Sequence, residues 1–389
     1  MLKRSPCTTA ALLVLFLVTA PSSQGCLGAG PFRRPFLPAR FEVAAFAVER
    51  GERGQPGSIE SLKANIDAID LVLDFGGIVG DDGTLVEHGS PDPRETRDIA
   101  IDNGRRLMLV VSNAVPGETG RTCMFETAHA RAKTVQSLMA KVAGYDGLHL
   151  GFERMPARVK PLYSMFIRDL AKALHAQGKS LGVSIFPLVD MPSTTWGACD
   201  YTVIGKEADY VILCAYDRHD LATQPGAISP RMWVEAGLRK ALIEIGPEKV
   251  LLGIGVHAYD WPESQGGAHN SPGPEGVLLA GTRQEGAEHG SAQHGGAQAP
   301  EYLSSEQALR RAEASGSVIT FDGLSGQKTF RHRLEGLGRV VWLQDASSVK
   351  QGINLANKYG LRGVAIWRLG LEDALTWNVI SSMRRRQHP

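Results

Sequence analysis

The chain is short of several things, and each shortage closes a route. Only five of its 389 residues are cysteine. Cys7, Cys26, Cys123, Cys199 and Cys214 show no spacing with histidine of the kind that holds zinc. Charge of one sign is also lacking: 42 Lys and Arg stand against 41 Asp and Glu, a formal net charge of +1. No overall field therefore draws the chain to nucleic acid. The short basic run Arg384–Arg385–Arg386 reads as a solvated helix end. No phosphate-cradling glycine loop and no metal-ligand motif is visible, so neither a cofactor nor a metal is expected. Long apolar runs are missing except near the start. There, Lys3 and Arg4 precede an apolar run from Ala10 to Ala20, followed by small and polar residues from Pro21 to Gly25. That run falls short of the roughly 20 residues a membrane span needs, and it reads as an export signal.

What is present is the composition of a globular protein, 43% hydrophobic and 21% charged. Residues 1–25 are read as the signal and 26–40 as a lead-in. Residues 41–389 are read as one large domain. Cys26 follows Gly25, which leaves lipid attachment open, but Ser23 stands where such signals usually carry Leu, so plain cleavage is expected. Cys7 leaves with the signal. Export would permit a disulfide between Cys123 and Cys199, both in loops after strands, while Cys214 sits in an apolar strand as a buried thiol.

Within the domain, strand-length apolar runs alternate with helical patterns. The runs are 41–48, 71–79, 106–111, 145–153, 181–189, 209–217, 250–259 and 362–369. Helices are predicted from Ser58 as cap to about Ala68, over 93–103 with Asp92 as cap, and over 127–142. Further helices are expected over 160–177 (ended by Gly178), 200–207, 230–245 and 373–384. Eight strands in this rhythm predict a (β/α)₈ TIM barrel, although alternation alone also fits a doubly wound open sheet. Residues 262–300, rich in Gly, Pro, Ser, Gln, Ala and His, read as a low-complexity disordered insert. His257, His269, His289 and His294 are irregularly spaced and do not read as a metal site. Residues 301–350, with a helix at 304–315 and strands at 317–321 and 339–343, read as a small α+β insertion between the seventh and eighth strands.

The fourth strand, Tyr145–Asp146–Gly147–Leu148–His149–Leu150–Gly151–Phe152–Glu153, carries the chemistry. Side chains alternate across a strand. Leu148, Leu150 and Phe152 share an apolar face, and Asp146 falls with them by parity. His149, Gly151 and Glu153 share the other face. A carboxyl group at a strand's C-terminal end lies where a barrel places its active site.

This stretch resembles the fourth-strand motif of family 18 glycoside hydrolases, Asp-x-x-Asp-x-Asp-x-Glu, at Asp146, His149, Gly151 and Glu153. The first Asp and the Glu are retained; His149 and Gly151 replace the other two. Ala208–Asp217, ending in Tyr216–Asp217, is similar to the family's sixth-strand segment. Val250–Gly255 with Tyr259–Asp260–Trp261, and Gly363–Gly370, look like the spore-cortex-lytic branch. The resemblance implies a glycosidase acting on N-acetylglucosamine-containing polysaccharide, peptidoglycan before chitin, exported to the periplasm or beyond. It implies Glu153 as acid and base. Tyr216, Asp217 and Trp367 would bind the sugar, and Trp261 would line a further subsite. Asp146 and His149 are carried as substrate-site candidates, though His149 also reads as a satisfied core histidine. Family members use an Asp where Gly151 stands. A sugar-binding relative without turnover is therefore the rival reading.

Overall fold

The computed structural model describes residues 41–49, 51, 54–87, 94–114, 120–263 and 299–387, which belong to one compact unit, Pro35–Pro389. The expected signal, the lead-in, the Asp92 cap and nearly all of the low-complexity insert lie outside the described residues. In chain order the elements are β1 (Glu42–Ala47), α1 (Ile59–Asn65), β2 (Leu71–Val79), β3 (Leu85–Glu87), α2 (Arg94–Asp102), β4 (Arg106–Ser112), α3 (Cys123–Glu126), α4 (Ala128–Lys141) and β5 (Gly147–Gly151). There follow α5 (Lys160–Ala176), β6 (Ser180–Ile185), α6 (Ser193–Trp196), α7 (Tyr201–Glu207), β7 (Tyr210–Cys214), α8 (Arg231–Ala241), β8 (Val250–Gly255) and β9 (His257–Pro262). The chain ends with β10 (Glu301–Ser304), α9 (Ser305–Ala314), β11 (Thr320–Asp322), β12 (Gln327–Leu334), β13 (Leu337–Leu343), α10 (Ala346–Lys358), β14 (Gly363–Trp367) and α11 (Thr376–Gln387).

Eight of these strands run parallel and close into a barrel. β1 pairs with β14 through Ala44 and Ala365, and with β2 through Ala45 and Val72. Closure decides between the two architectures that the alternation left open. In β5, Leu148 and Leu150, with Phe152 just beyond, pack outward under the helices; the Phe152 ring stacks 5.9 Å from Phe166 of α5. The inward face is smaller and mixed, with Phe46, Leu73, Met108, Val110, Tyr210 and Ile212 filling the barrel.

Local chemistry explains several helix ends. Thr127 accepts from the Ala130 N–H and Asp200 from the Val203 N–H. Gly178, with φ +69°, takes the left-handed turn after α5. Ser58 departs from its expected role. It makes no side-chain cap on α1. Its buried hydroxyl accepts from Val48 N–H at 2.9 Å and donates to Leu369 O at 2.8 Å, stitching the exits of β1 and β14 together.

The strand predictions need several corrections. The sixth barrel strand stops at Cys214, so Tyr216 and Asp217 lie in the loop beyond it. The fifth barrel strand stops at Ile185, because the segment beyond turns through left-handed backbone at Leu188 (φ 50°) and Asp190 (φ 53°). The apolar run from 250 to 259 is two strands. β8 belongs to the barrel, and β9 enters a second, antiparallel sheet of order β10-β9-β13-β12-β11. That sheet also contains β10 and β12, which the sequence reading missed along with α10. Its inner anchor is Asp260, which is fully buried and accepts from Arg339 Nε at 2.8 Å, from Arg311, and from His332 Nε2 at 2.8 Å. Cys123 and Cys199 are both free, one exposed and one buried in the core, so the pairing that export would permit is not formed. Cys214 is buried as expected, and burial pushes its thiol up to about 11. No helix among the described residues is long and apolar enough to cross a membrane.

One buried acid makes the barrel pH-sensitive. Asp74 on β2 accepts from the Tyr145 hydroxyl at 2.8 Å, and burial raises its pKa to about 7. A raised folded-state pKa means the proton is held more tightly folded than unfolded. The stabilising contribution is therefore complete below about pH 4 and is lost as pH rises through about 7, amounting to roughly 4 kcal/mol. Urea titrations of wild type and Asp74→Asn at about pH 5 and about pH 8 test this. The variant is expected to be the more stable of the two at the higher pH and to show a smaller loss between them.

Candidate active site

Glu153 lies two residues past the end of β5 on the inward parity, which brings it to the C-terminal mouth of the barrel. Its peptide is gripped by Asn113, a buried residue at the exit of β4. Asn113 Oδ1 accepts from Glu153 N–H at 2.9 Å, and its amide nitrogen donates to Glu153 O at 3.1 Å and Arg121 O at 3.2 Å. Sequence reading passed over Asn113; its position just after an inward-filling strand was the available signal. The Glu153 carboxyl has no hydrogen-bond partner among the described residues. Burial raises its pKa to about 7; adjacent Arg154 opposes the shift, and the negative charges of Asp217 and Asp220 add to it. Arg154 reaches over the Trp196 ring, 5.4 Å from its centroid, and bonds Asp220 at 2.8 Å.

Tyr216, Asp217 and Trp367 gather at the same mouth. Trp367 ends β14, and its ring stacks on Tyr216 at 6.3 Å with planes 16° apart. Phe46 props the indole edge-on at 5.1 Å. Burial keeps the Tyr216 phenol well above its usual range, so it stays protonated and able to donate. Asp217 has φ +57° and is about one-third exposed. Its Oδ1 accepts from His257 Nε2 at 2.8 Å and from the Tyr259 hydroxyl at 3.0 Å.

Two of the expected site residues are not brought to this mouth. Asp146 sits at the opposite, N-terminal end of β5, where its carboxylate accepts from Leu107 N–H at 2.8 Å. The length of the strand separates it from Glu153. His149 lies inside the barrel, fully buried, with Nδ1 3.1 Å from the Tyr210 hydroxyl and Nε2 2.9 Å from Ser184 Oγ. Burial lowers it to about 3, and with both nitrogens occupied it packs the interior. Trp261 is buried too, donating to Asp220 O at 3.2 Å, and lines no open subsite. Gly151 has room to spare: a Cβ there would meet only Val111 O at 3.6 Å and Val110 at 3.7 Å.

The arrangement is a single proton donor and acceptor of near-neutral pKa beside a protonated phenol, a fixed carboxylate and an aromatic floor. Carbon-13 labelling of the glutamate carboxyls tests the first part. One resonance is expected to titrate at about pH 7 and to vanish in Glu153→Gln; a full set titrating near the ordinary 4 to 5 contradicts the assignment.

The sequence model of the glycosyl hydrolases family 18 matches residues 66–372. The cortical fragment-lytic enzyme of Bacillus subtilis strain 168 is 26% identical over 309 residues, covering 77% of this chain. The chain spans 64% of that relative's length. Among solved structures, the spore cortex-lytic enzyme SleL of Bacillus cereus superposes with a TM-score of 0.70 at 21% identity, over 88% of this chain and 74% of that one. A chitinase from Chromobacterium violaceum superposes with a TM-score of 0.72 at 22% identity, over 88% and 98%. The match of the family model over most of the barrel, on a closed barrel with Glu153 at its mouth, places this chain in glycosyl hydrolase family 18.

Proposed function

We propose that the protein is an exported glycosidase that cleaves β-1,4 bonds after N-acetylglucosamine in peptidoglycan or chitin, with peptidoglycan the preferred polymer. The observation that carries this is the lone Glu153 carboxyl, raised to about 7 by burial. A substrate-assisted retaining reaction needs one such group. Protonated Glu153 gives its proton to the glycosidic oxygen as the bond to the anomeric carbon breaks. The substrate's own acetamido carbonyl oxygen closes onto that carbon, forming a cyclic oxazolinium. The Glu153 carboxylate then takes a proton from water, which opens the ring and restores the starting configuration. Tyr216 is assigned to donate to the acetamido oxygen, and Trp367 to support the apolar face of the sugar. The preference for peptidoglycan draws on the cortical fragment-lytic relative and on the export signal read in residues 1–25.

Gly151 favours a second reading, a carbohydrate-binding protein with impaired turnover. No carboxylate hydrogen-bonds Glu153 among the described residues, so the acid lacks the partner that an Asp at 151 would supply. Release of reducing ends from purified peptidoglycan and from chitin oligomers separates the two. Loss of wild-type activity in Glu153→Gln is expected for the glycosidase, whereas a wild type of impaired turnover should gain up to about 10²-fold in kcat from Gly151→Asp. An inactive wild type whose polymer binding is abolished by Trp367→Ala would establish the binding protein instead. Equal activity in wild type and Glu153→Gln would overturn the hydrolytic mechanism.

A further inference from the structure

Gly151 removes a carboxylate from the inward face of β5, yet the proposed reaction still needs one. As the acetamido oxygen attacks, positive charge develops on the amide nitrogen, and an anion accepting its N–H stabilises the transition state. Two carboxylates act electrostatically on Glu153 from the loop after β7, Asp217 and Asp220. Asp220 is committed: it pairs with Arg154 at 2.8 Å and accepts from Ala222 N–H at 2.9 Å. Among the described residues Asp217 has no Lys or Arg partner, and both of its donors bond the same oxygen, Oδ1. Its other oxygen accepts from no group among the described residues, and the side chain is about one-third exposed.

His257 is the more informative donor. The imidazole is fully buried, and its Nδ1 has no partner among the described residues. Its one side-chain hydrogen bond among them is the 2.8 Å contact to Asp217. A buried imidazole with an orphan nitrogen costs stability. The surroundings hold the ring still. Tyr216 and Tyr259 meet it edge-on at 6.2 and 5.2 Å, and Tyr302 lies against it at 5.0 Å. Gly255 completes the socket, since a Cβ there would come within 2.8 Å of the imidazole.

We propose that His257 is a positioning residue: it holds Asp217 as the carboxylate that receives the substrate's acetamido N–H, the role that Gly151 cannot fill. This rests on the glycosidase reading above. It assigns the β8–β9 junction a part in the reaction, and it makes Gly151 a tolerated loss.

The test is a rescue experiment on the full chain. His257→Leu removes the donor, His257→Gln keeps an N–H donor, and each is made with and without Gly151→Asp. Tyr259→Phe, which keeps the ring and deletes only the hydroxyl, serves as a variant that perturbs folding least. His257→Leu is expected to lower kcat by about 10²-fold with little change in KM. His257→Gln should regain most of the loss, Tyr259→Phe should show a smaller loss in kcat, and Gly151→Asp should restore kcat in the Leu background. A Leu variant with unchanged kcat overturns the proposal. So does a folded Leu variant that neither Gln nor Gly151→Asp rescues, since that is the signature of a packing role.

A binding measurement separates this from the wider reading. The probe is a thiazoline analogue of cyclised N-acetylglucosamine, whose protonated ring nitrogen presents the same N–H. If the wild type binds it without turning over any polymer, the glycosidase reading fails. A weakening of at least about tenfold in His257→Leu would then still uphold the positioning of Asp217. No difference in affinity between the two would overturn it.

Discussion

The pairing of β1 with both β14 and β2 is the constraint on which the rest of the molecule depends. Parallel strands closed into a ring all point their C-terminal ends at one rim. Groups separated by more than 200 positions in sequence, Glu153 and Trp367 among them, come to one rim only because the ring is closed. The same closure explains Ser58. Its hydroxyl bridges the exits of β1 and β14, so a residue that local rules assign to a helix cap is drawn into holding the seam.

Depth along one strand sets the chemistry of its side chains. His149 and Glu153 share an inward parity four residues apart. The histidine lies within the barrel, loses its charge to burial, and satisfies both nitrogens with neutral hydroxyls. The glutamate sits at the rim, where burial raises its pKa to about 7 rather than abolishing ionisation. A near-neutral acid therefore arises here without a carboxylate on the adjacent inward position. Desolvation does part of the work that like-charge proximity would otherwise do.

The second sheet is joined to the site by continuity of chain. β8 runs directly into β9, with Val256 N–H donating to Trp367 O at 2.9 Å where the path changes sheets. His257 and Tyr259, the two donors to Asp217, stand at the start of β9. Further along the same strand, Asp260 is locked by Arg339, Arg311 and His332. A charge this deep is tolerable only when its lone pairs are occupied. Satisfying them fixes the strand that presents the Asp217 donors.

The sequence by itself determined the alternation of strands and helices, the outward apolar face of Leu148, Leu150 and Phe152, and the rim position of Glu153. These follow from side-chain periodicity and short-range pattern, which act over a few residues. Only the tertiary structure decided that the sheet closes and that the run from 250 to 259 divides between two sheets. It alone showed that Asp146 lies at the far end of its strand and that His149 is filled in on both nitrogens. Asn113, His257 and Tyr259 were not tied to Glu153 or Asp217 by the sequence for one physical reason. Each acts by a hydrogen bond to a residue about 40 positions away, and such a bond exists only after the barrel has brought the two strand ends together.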